Sequence, residues 1–554
     1  MGATVLFLQN LARQLKLYMP AITKAAFILA IITLTLYQIQ YLFQVTPAAP
    51  FQEPDNYEYY LFAQIAIRDN SFLISNPYLV YPVVGFFEHP GLLTLPVILH
   101  GLIPSVPLYW DFRIIYAIPI FTIYLMLLLI TKVVLDNLTI NRSYKYVAYT
   151  LVILNSLLLQ QTEIIEWRGT AFTTAITLIM FYIVCYIYSK KNLQLRIKLI
   201  MASSLVGWLF LAWYTWSGWA VTLGVLLLFP AFEIYKRIKG KRLYWFLALL
   251  MVITGLAIGG FSQQIDVLII NGLQRISSGG VLGGSLNAIQ GINCFNNPIQ
   301  LGEVGCLTPS VGLYAVVAFI IFFAFIIRVF LANPIFSINR DKYEFFVVGA
   351  IFMTFLYLPF AMIYLRLIQL IAPFLAFGFA VGVAALFTRN DVNRVIQVCI
   401  IFVVLFASFG AVVLWMQTTD YIIHLNNPPG LIGVADYLNS SVPPNSVVLS
   451  FYGYADYLQD VGHVKVYTNT IQEINYTRII AQNKFYSSYP INCTYLSELS
   501  PSPAYIMTSN TLVEFGIFQG VSSYSLVNDS SRQSFCNYTQ IYQNQGFYLF
   551  QKDS

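Results

Sequence analysis

Charge is what this sequence has least of. Lysine, arginine, aspartate and glutamate together make up only 10% of its 554 residues, against roughly a quarter in ordinary soluble domains. With 58% hydrophobic residues, including 43 phenylalanines and 39 tyrosines, the chain holds more apolar sequence than a soluble interior can bury. A bilayer must therefore solvate it. A basic patch is also missing. The net charge of +6 comes from bases that punctuate apolar runs, which excludes a nucleic-acid partner. No small-residue cleavage site closes the apolar run after the basic N-terminal residues, so Ala25–Phe43 is expected to be retained as a signal anchor. No internal repeat or low-complexity tract stands out.

Apolar runs of about 17–22 residues are read as membrane spans. Eleven are expected, three of them short: Ala25–Phe43, Ile114–Ile130, Val147–Leu159, Ala171–Tyr188, Leu199–Trp213, Trp219–Phe229, Leu243–Gly259, Leu313–Phe330, Phe345–Tyr364, Leu367–Phe387 and Val395–Trp415. The stretch Leu92–Pro107 is interrupted by prolines and fits an external or re-entrant helix better. With the N-terminus in the cytoplasm, 20 of the 30 lysines and arginines fall inside and 19 of the 24 acids fall outside. The opposite orientation inverts both asymmetries, so the positive-inside rule selects N-in, C-out.

This arrangement leaves chemistry to four outward segments, since the cytoplasmic loops are too short to fold. They are the acid- and proline-rich 44–113, the short turn 160–169, the glycine-bearing 261–310, and everything after Asp420. Two domains are expected: a membrane domain over 1–416, carrying the external loops 44–113 and 261–310, and an extracytoplasmic domain over 417–554. β-like runs at Ser446–Ser450, Val464–Tyr467 and Phe547–Phe550 alternate with turns, predicting an α/β or α+β fold there. Cys294 and Cys306 share one outer segment, and Cys493 and Cys536 share the tail, so an oxidising compartment allows two local disulfides. Cys185 and Cys399 lie in spans, as small apolar residues. Sequons at Asn439, Asn475, Asn492, Asn528 and Asn537 all fall in the tail. Those at Asn137 and Asn141 fall on the cytoplasmic side.

The chemistry-bearing residues sit at the outer membrane face. Glu53, Asp55 and Glu58 follow the first span among aromatics, where a carboxylate is costly unless paired or used. The plain alternative is a solvated acidic loop. Glu163, Glu166 and Arg168 precede the fourth span, and as an unspecialised group they read as an interfacial salt-bridge cluster. Glu303 lies on the glycine-bearing loop. Arg366 falls between two spans, where a guanidinium needs an anionic partner. Phe451-Tyr-Gly-Tyr opens the exterior domain; its aromatics read otherwise as core.

The order of these pieces resembles the catalytic subunit of oligosaccharyltransferase, a membrane glycosyltransferase of the GT-C fold. Asp55, followed by Tyr57-Glu-Tyr, matches the first-loop acidic motif. His89-Pro-Gly is similar to the family's Tyr-Pro-Gly-type turn. Glu166-Trp-Arg-Gly-Thr-Ala resembles Asp-x-Glu-Gly-x-Ala, with Arg168 standing where the family has its second acid. Asn297-Pro-Ile-Gln-Leu-Gly-Glu303 is similar to the fifth external loop. Tyr364-Leu-Arg366, with Ala372-Pro373, resembles the motif whose arginine lies near the lipid pyrophosphate. Ser450-Phe-Tyr-Gly-Tyr resembles Ser-Trp-Trp-Asp-Tyr-Gly, with Gly453 in place of the hallmark aspartate; Asp456, one turn on, is the nearest carboxylate. The resemblance implies a GT-C-like polytopic helical membrane protein with about 11–13 transmembrane helices.

It further implies transfer of an oligosaccharide from a polyisoprenyl phosphate or pyrophosphate to asparagine in an Asn-x-Ser/Thr acceptor polypeptide, at the cell or endoplasmic reticulum membrane. The implied roles are catalysis for Asp55 and Glu303, Mn²⁺ or Mg²⁺ ligation for Asp55, Glu166 and Glu163, and donor pyrophosphate binding for Arg366. Phe451, Tyr452, Tyr454 and Asp456 are assigned to the acceptor peptide. Two alternatives stay open: a GT-C enzyme using polyprenyl-phosphate sugars on another acceptor, and a non-catalytic relative that binds lipid carrier or peptide. A transporter is disfavoured, since the spans lack paired charges and no inverted repeat is visible.

Overall fold

The computed structural model describes residues 18–36, 54–72, 74–75, 77–79, 84–85, 90–136, 142–159, 169–190, 192–215, 217–237, 344–363, 368–386, 401–410, 429–450, 452–467, 485–486, 492–509 and 534–553. The expected spans Leu243–Gly259 and Leu313–Phe330, the pair Cys294/Cys306 and the sequons at Asn475 and Asn528 lie outside the described residues. The chain divides into two compact units.

The described part of the first unit is helical. Its first described element is α1 (Tyr18–Leu36). The second unit contributes α2 (Pro54–Asp69), the short strands β1 (Ile74–Ser75) and β2 (Val84–Gly85), and α3 (Pro90–Leu102). Next comes α4 (Leu108–Asp136); at 1.5 Å per residue its 29 residues run about 43 Å, more than a hydrocarbon core requires. The first unit continues with α5 (Arg142–Leu159), α6 (Gly169–Ser189) and α7 (Leu195–Thr215). A 3₁₀ segment Ser217–Leu227 then leads into α8 (Leu228–Arg237). After it come α9 (Glu344–Ile363), α10 (Ile368–Leu386) and α11 (Ile401–Gly410).

Four of the described helices are long and apolar enough to cross a membrane: Tyr18–Leu36, Leu108–Asp136, Ala171–Ser189 and Leu195–Thr215. Along α7 only 11% of the apolar window is buried although its mean hydropathy is 1.6. Its exposed Leu199, Val206, Phe210 and Trp213 are what a lipid-facing helix presents. The interior is built where α10 packs against α5 and α9 against α6 and α10. There Phe181 meets Phe374 edge-on at 5.0 Å. Two hydroxyls within these helices are satisfied on their own backbone: Thr150 Oγ1 donates to Tyr146 O at 2.9 Å and Thr354 Oγ1 to Ala350 O at 2.8 Å. That is the economy hydrocarbon demands of a polar group. At one end of the bundle the Tyr235 hydroxyl donates to Glu344, and Lys236 Nζ lies 4.2 Å from the Tyr188 ring centroid, a cation–π contact.

The second unit also carries the C-terminal elements: α12 (Pro429–Ser441), β3 (Val448–Leu449), α13 (Tyr452–Asp460), α14 (Thr494–Ser497), β4 (Tyr505–Ser509), β5 (Ser534–Phe535), β6 (Tyr538–Asn544) and β7 (Phe547–Lys552). The sheet order is β3-β4-β7-β6-β5, parallel between β3 and β4 and antiparallel elsewhere. Two-residue turns set the two hairpins. Gln545 and Gly546 link β6 to β7 with φ of 42° and 83°, and Cys536 and Asn537 link β5 to β6 with φ of 50° and 63°. Two successive positive φ values are the type I′ geometry that matches strand twist and favours glycine and asparagine.

Helix α12 lies across this sheet with Tyr437 stacked on Tyr542 at 4.4 Å. The approach is close enough that a Cβ on Gly433 would meet the Asn544 side chain at 1.9 Å. A disulfide joins Cys493 to Cys536, one of the two pairings the cysteine positions allow. The expected Leu92–Pro107 helix is observed as α3, and two of the β-like runs as β3 and β7. The third, Val464–Tyr467, contributes bridges from Lys465 to Val447 and from Val466 to Leu79.

Candidate functional site

The acid-rich segment after the first span and the aromatic segment that opens the tail fold against each other. The polar face of α2 is interrupted by Tyr57 and Tyr60; that of α13 is interrupted by Tyr457 and ends on Asp460. Tyr57 and Tyr457 are buried and meet edge-to-face, with ring centroids 4.8 Å apart. Three residues further along both helices, Asp460 lies near enough to Tyr60 for its charge to raise the Tyr60 hydroxyl. Pairs that advance together, with a step of three, are the mark of two helices lying side by side in parallel. This register sets Asp55, in the first turn of α2, opposite Ala455 of α13, next to Asp456 and within one turn of Tyr452 and Gly453.

Backbone bonding locks the same junction one layer on. Val466 N donates to Tyr78 O at 2.9 Å, and Gln459 Nε2 donates to the same oxygen at 3.3 Å. Leu79, Ala455 and Val466 form a small buried cluster. Tyr78 stacks on His463 at 5.8 Å, and burial lowers the His463 imidazole below its ordinary value. On the other side of α2, Tyr60 packs edge-on against Phe112 at 5.8 Å. His100 Nδ1 and Asp111 Oδ2, 2.9 Å apart, tie α3 to the first turn of α4.

Asp460 is the exceptional charge-bearing group. It is 7% exposed, its Oδ1 has no hydrogen-bond partner among the described residues, and burial pushes its carboxyl up to about 8. Burial also raises Tyr60, an effect reduced by a hydrogen bond with Gln64 and reinforced by Asp460. Burial, with Asp436 and Asp460 nearby, raises Tyr457. The folded chain keeps the Asp460 proton to about 8 whereas an unfolded chain releases it near 3.8. Its stabilising contribution is thus complete below about 3.8 and is lost as pH rises through 8. Between pH 5 and pH 9 the wild type is expected to lose about 4 kcal/mol more stability than Asp460→Asn, which has no proton to release. Melting curves of the detergent-solubilised protein at the two pH values check this, and equal losses in both proteins contradict it.

The residues expected at the site are distributed as follows. Asp55 lies in the first turn of α2, and Tyr452 and Asp456 in α13; the side chains of these three are not among those described. Tyr454 is 2% exposed, with its ring edge-on to Phe547 at 5.7 Å, so it anchors α13 on the sheet. Glu163, Glu166, Glu303, Arg366 and Phe451 lie outside the described residues. Among the described residues, no group of three or more His, Cys, Asp and Glu is placed to hold a metal ion. Sequence reasoning missed Tyr57, Tyr60, Tyr457 and Asp460. Their signal was the shared spacing of three, Tyr57 to Tyr60 and Tyr457 to Asp460, which puts each pair on one helix face.

Apolar helices with lipid-facing surfaces and a mixed α/β sheet unit thus lie in one chain, with the acidic α2 segment packed against α13 within the second unit. Solved structures share this fold. The chain is similar to the archaeal oligosaccharyltransferase of Archaeoglobus fulgidus in the apo form, at 12% identity, covering 95% of this chain and 74% of that one with a TM-score of 0.54. It is similar as well to the same organism's AglB in complex with an inhibitory peptide and a dolichol-phosphate, at 11% identity over 89% and 71% of the two chains, TM-score 0.53. ArnT from Cupriavidus metallidurans aligns over 94% of this chain at 10% identity and a TM-score of 0.49. No protein-family profile matches the chain, and no curated protein matches it by sequence. On the Archaeoglobus structures the fold is GT-C-like, that of a helical membrane protein with a C-terminal sheet domain.

Proposed function

We propose that this protein transfers an oligosaccharide from a polyisoprenyl phosphate or pyrophosphate to the side-chain nitrogen of asparagine in an Asn-x-Ser/Thr polypeptide. The observation that carries the reading is the packing of α2 on α13, which brings the helix that bears Asp55 against the helix that bears Tyr452, Gly453 and Asp456. A transferase for sugar or lipid acceptors has use for the first-loop aspartate alone. An aspartate-bearing helix seated against an aromatic-rich exterior domain suits a peptide acceptor. The Archaeoglobus protein binds an inhibitory peptide and a dolichol-phosphate, and the same two ligand classes are proposed here.

An amide nitrogen is a poor nucleophile because its lone pair is delocalised into the carbonyl. On this reading Asp55 and Glu303 accept hydrogen bonds from the two amide N–H groups, turning the nitrogen out of conjugation as the anomeric carbon approaches. Arg366 holds the donor phosphate, which a planar guanidinium grips through paired hydrogen bonds. The carboxylates of Asp55, Glu166 and Glu163 are hard oxygen donors of the kind Mn²⁺ and Mg²⁺ take, whereas Arg168 contributes charge in place of a ligand. A bound divalent cation supplies neutralisation of the departing phosphate. Phe451, Tyr452 and Asp456 flank the acceptor, with Tyr454 fixing their helix to the sheet. The amino terminus and the short loops face the cytoplasm, and the C-terminal domain faces away from it.

The test is product identity. The purified protein is given lipid-linked oligosaccharide with an Asn-x-Thr peptide, a sugar acceptor or a lipid acceptor, in Mn²⁺, Mg²⁺ or chelator. Glycopeptide formed in the cation-containing samples is the expected result. Products on sugar or lipid alone would reassign the acceptor, and no product with any acceptor would leave a binding protein.

A further inference from the structure

The outward domain carries sequons that the transferase reading does not use, and the fold presents two of them in the manner of modified asparagines. Asn439 lies on the last turn of α12 with its own side chain and that of Ser441 exposed. Asn537 stands at the tip of the two-residue turn between β5 and β6, exposed, with Thr539 exposed behind it. Its φ of 63° is one that asparagine adopts readily, and Asp553 N donates to its carbonyl oxygen at 2.8 Å, so the turn is held by backbone. A substituent on either side-chain nitrogen projects away from the sheet and displaces no core residue. The third described sequon differs: Asn492 is half-buried, and its Oδ1 accepts from Thr494 N at 3.0 Å and Thr494 Oγ1 at 2.6 Å. The Cys493–Cys536 disulfide adjoins two of these sequons. It is a crosslink that persists in an oxidising compartment outside the cytoplasm, the side on which N-glycans are attached.

We infer that Asn439 and Asn537 are N-glycosylation sites of this chain itself. The donor is of the class already invoked, an oligosaccharide on a lipid phosphate or pyrophosphate. In each modification the bond between the anomeric carbon and the phosphate oxygen breaks. The phosphate leaves with the electron pair, a bond forms from that carbon to Nδ2, and one amide proton passes to a carboxylate or to water. Both sequons sit in helix or hairpin once the domain is folded, so the transfer precedes folding and the finished domain carries the glycan outward. The inference requires the outward orientation of the C-terminal domain; it does not require that this chain be the catalyst.

Glycopeptide mass spectrometry on the full chain purified from its own cells tests it. Glycan is expected on the peptides containing Asn439 and Asn537, with those containing Asn137 and Asn141 bare. Ser441→Ala and Thr539→Ala, which keep each asparagine in place, are each expected to remove one glycan mass. Bare asparagine at either Asn439 or Asn537 overturns the inference, as does glycan on Asn137 or Asn141, which places the outside on the wrong face. Failure here leaves the peptide-transfer assay with purified protein untouched, so the two readings fall separately.

Discussion

Asp55→Ala is expected to reduce oligosaccharide transfer to an Asn-x-Thr peptide by at least about a hundredfold, the scale on which loss of one preorganised group at a reacting centre is felt. Peptide affinity should change little, because the carboxylate acts on the amide N–H groups as the bond forms and the exterior domain holds the rest of the acceptor. Asp55 lies in the first turn of α2 and is not part of the Tyr57–Tyr457 and Tyr60–Phe112 ring pairs, so the variant is expected to melt as the wild type does. Initial rates on labelled peptide, with a binding isotherm and a melting curve for both proteins, make the comparison. A variant that keeps activity within a few fold removes Asp55 from the chemistry.

The second large effect is expected from a residue that touches no substrate. Tyr457 is 1% exposed, and its ring packs edge-to-face with Tyr57 of α2 at 4.8 Å. Removing it to alanine takes away an edge-to-face pair and opens a cavity worth about 3 kcal/mol or more. Because that cavity lies in the seam, α2 loses its fixed level against α13 before the domain loses its fold. Tyr457→Ala is expected to lower kcat/KM for the peptide at least about tenfold, in good part through KM, since two halves of an acceptor site no longer hold one geometry. Tyr457→Phe keeps the ring and should stay within about twofold. If the alanine and phenylalanine variants fall together, or the loss is in melting temperature alone with kinetics intact, Tyr457 serves stability only.

What could be read from the chain in advance follows from how local the signal is. Helix α6 was expected at Ala171–Tyr188 and is found at Gly169–Ser189, because an uninterrupted apolar run bounded by polar residues states its own limits. The run Leu199–Trp213 and the run Trp219–Phe229 were legible too, but α7 extends to Leu195–Thr215 and the second is 3₁₀ over Ser217–Leu227 before α8 begins. Apolar content fixes that a segment is buried in lipid; it does not fix the hydrogen-bond step. The described part of helix α1, Tyr18–Leu36, takes in Lys24 as well as the expected start at Ala25, since a lysine side chain is long enough to reach the interface from within a span.

The site was legible in its residue types and not in its pairing. Asp55 stood out because an acid among aromatics at a membrane surface demands a reason. Tyr454 stood out as an aromatic of the tail, yet it is turned into the sheet against Phe547. Aromatic character alone does not tell a binding face from a core face. The contact of Tyr57 with Tyr457 and the nearness of Asp460 to Tyr60 join segments about 400 residues apart. Each helix carries half of a register that has meaning only when the two are brought together. Asp460 looked like one acid among several, and only burial made it the group that keeps its proton to about 8.

The most direct test of the account is photocrosslinking with an Asn-x-Thr peptide whose asparagine is replaced by a photoreactive residue. The account predicts adducts on two tryptic or chymotryptic segments at once, one around 54–60 and one around 452–458, both suppressed by unlabelled peptide. Adducts on neither segment, or adducts elsewhere that unlabelled peptide suppresses equally well, would contradict it.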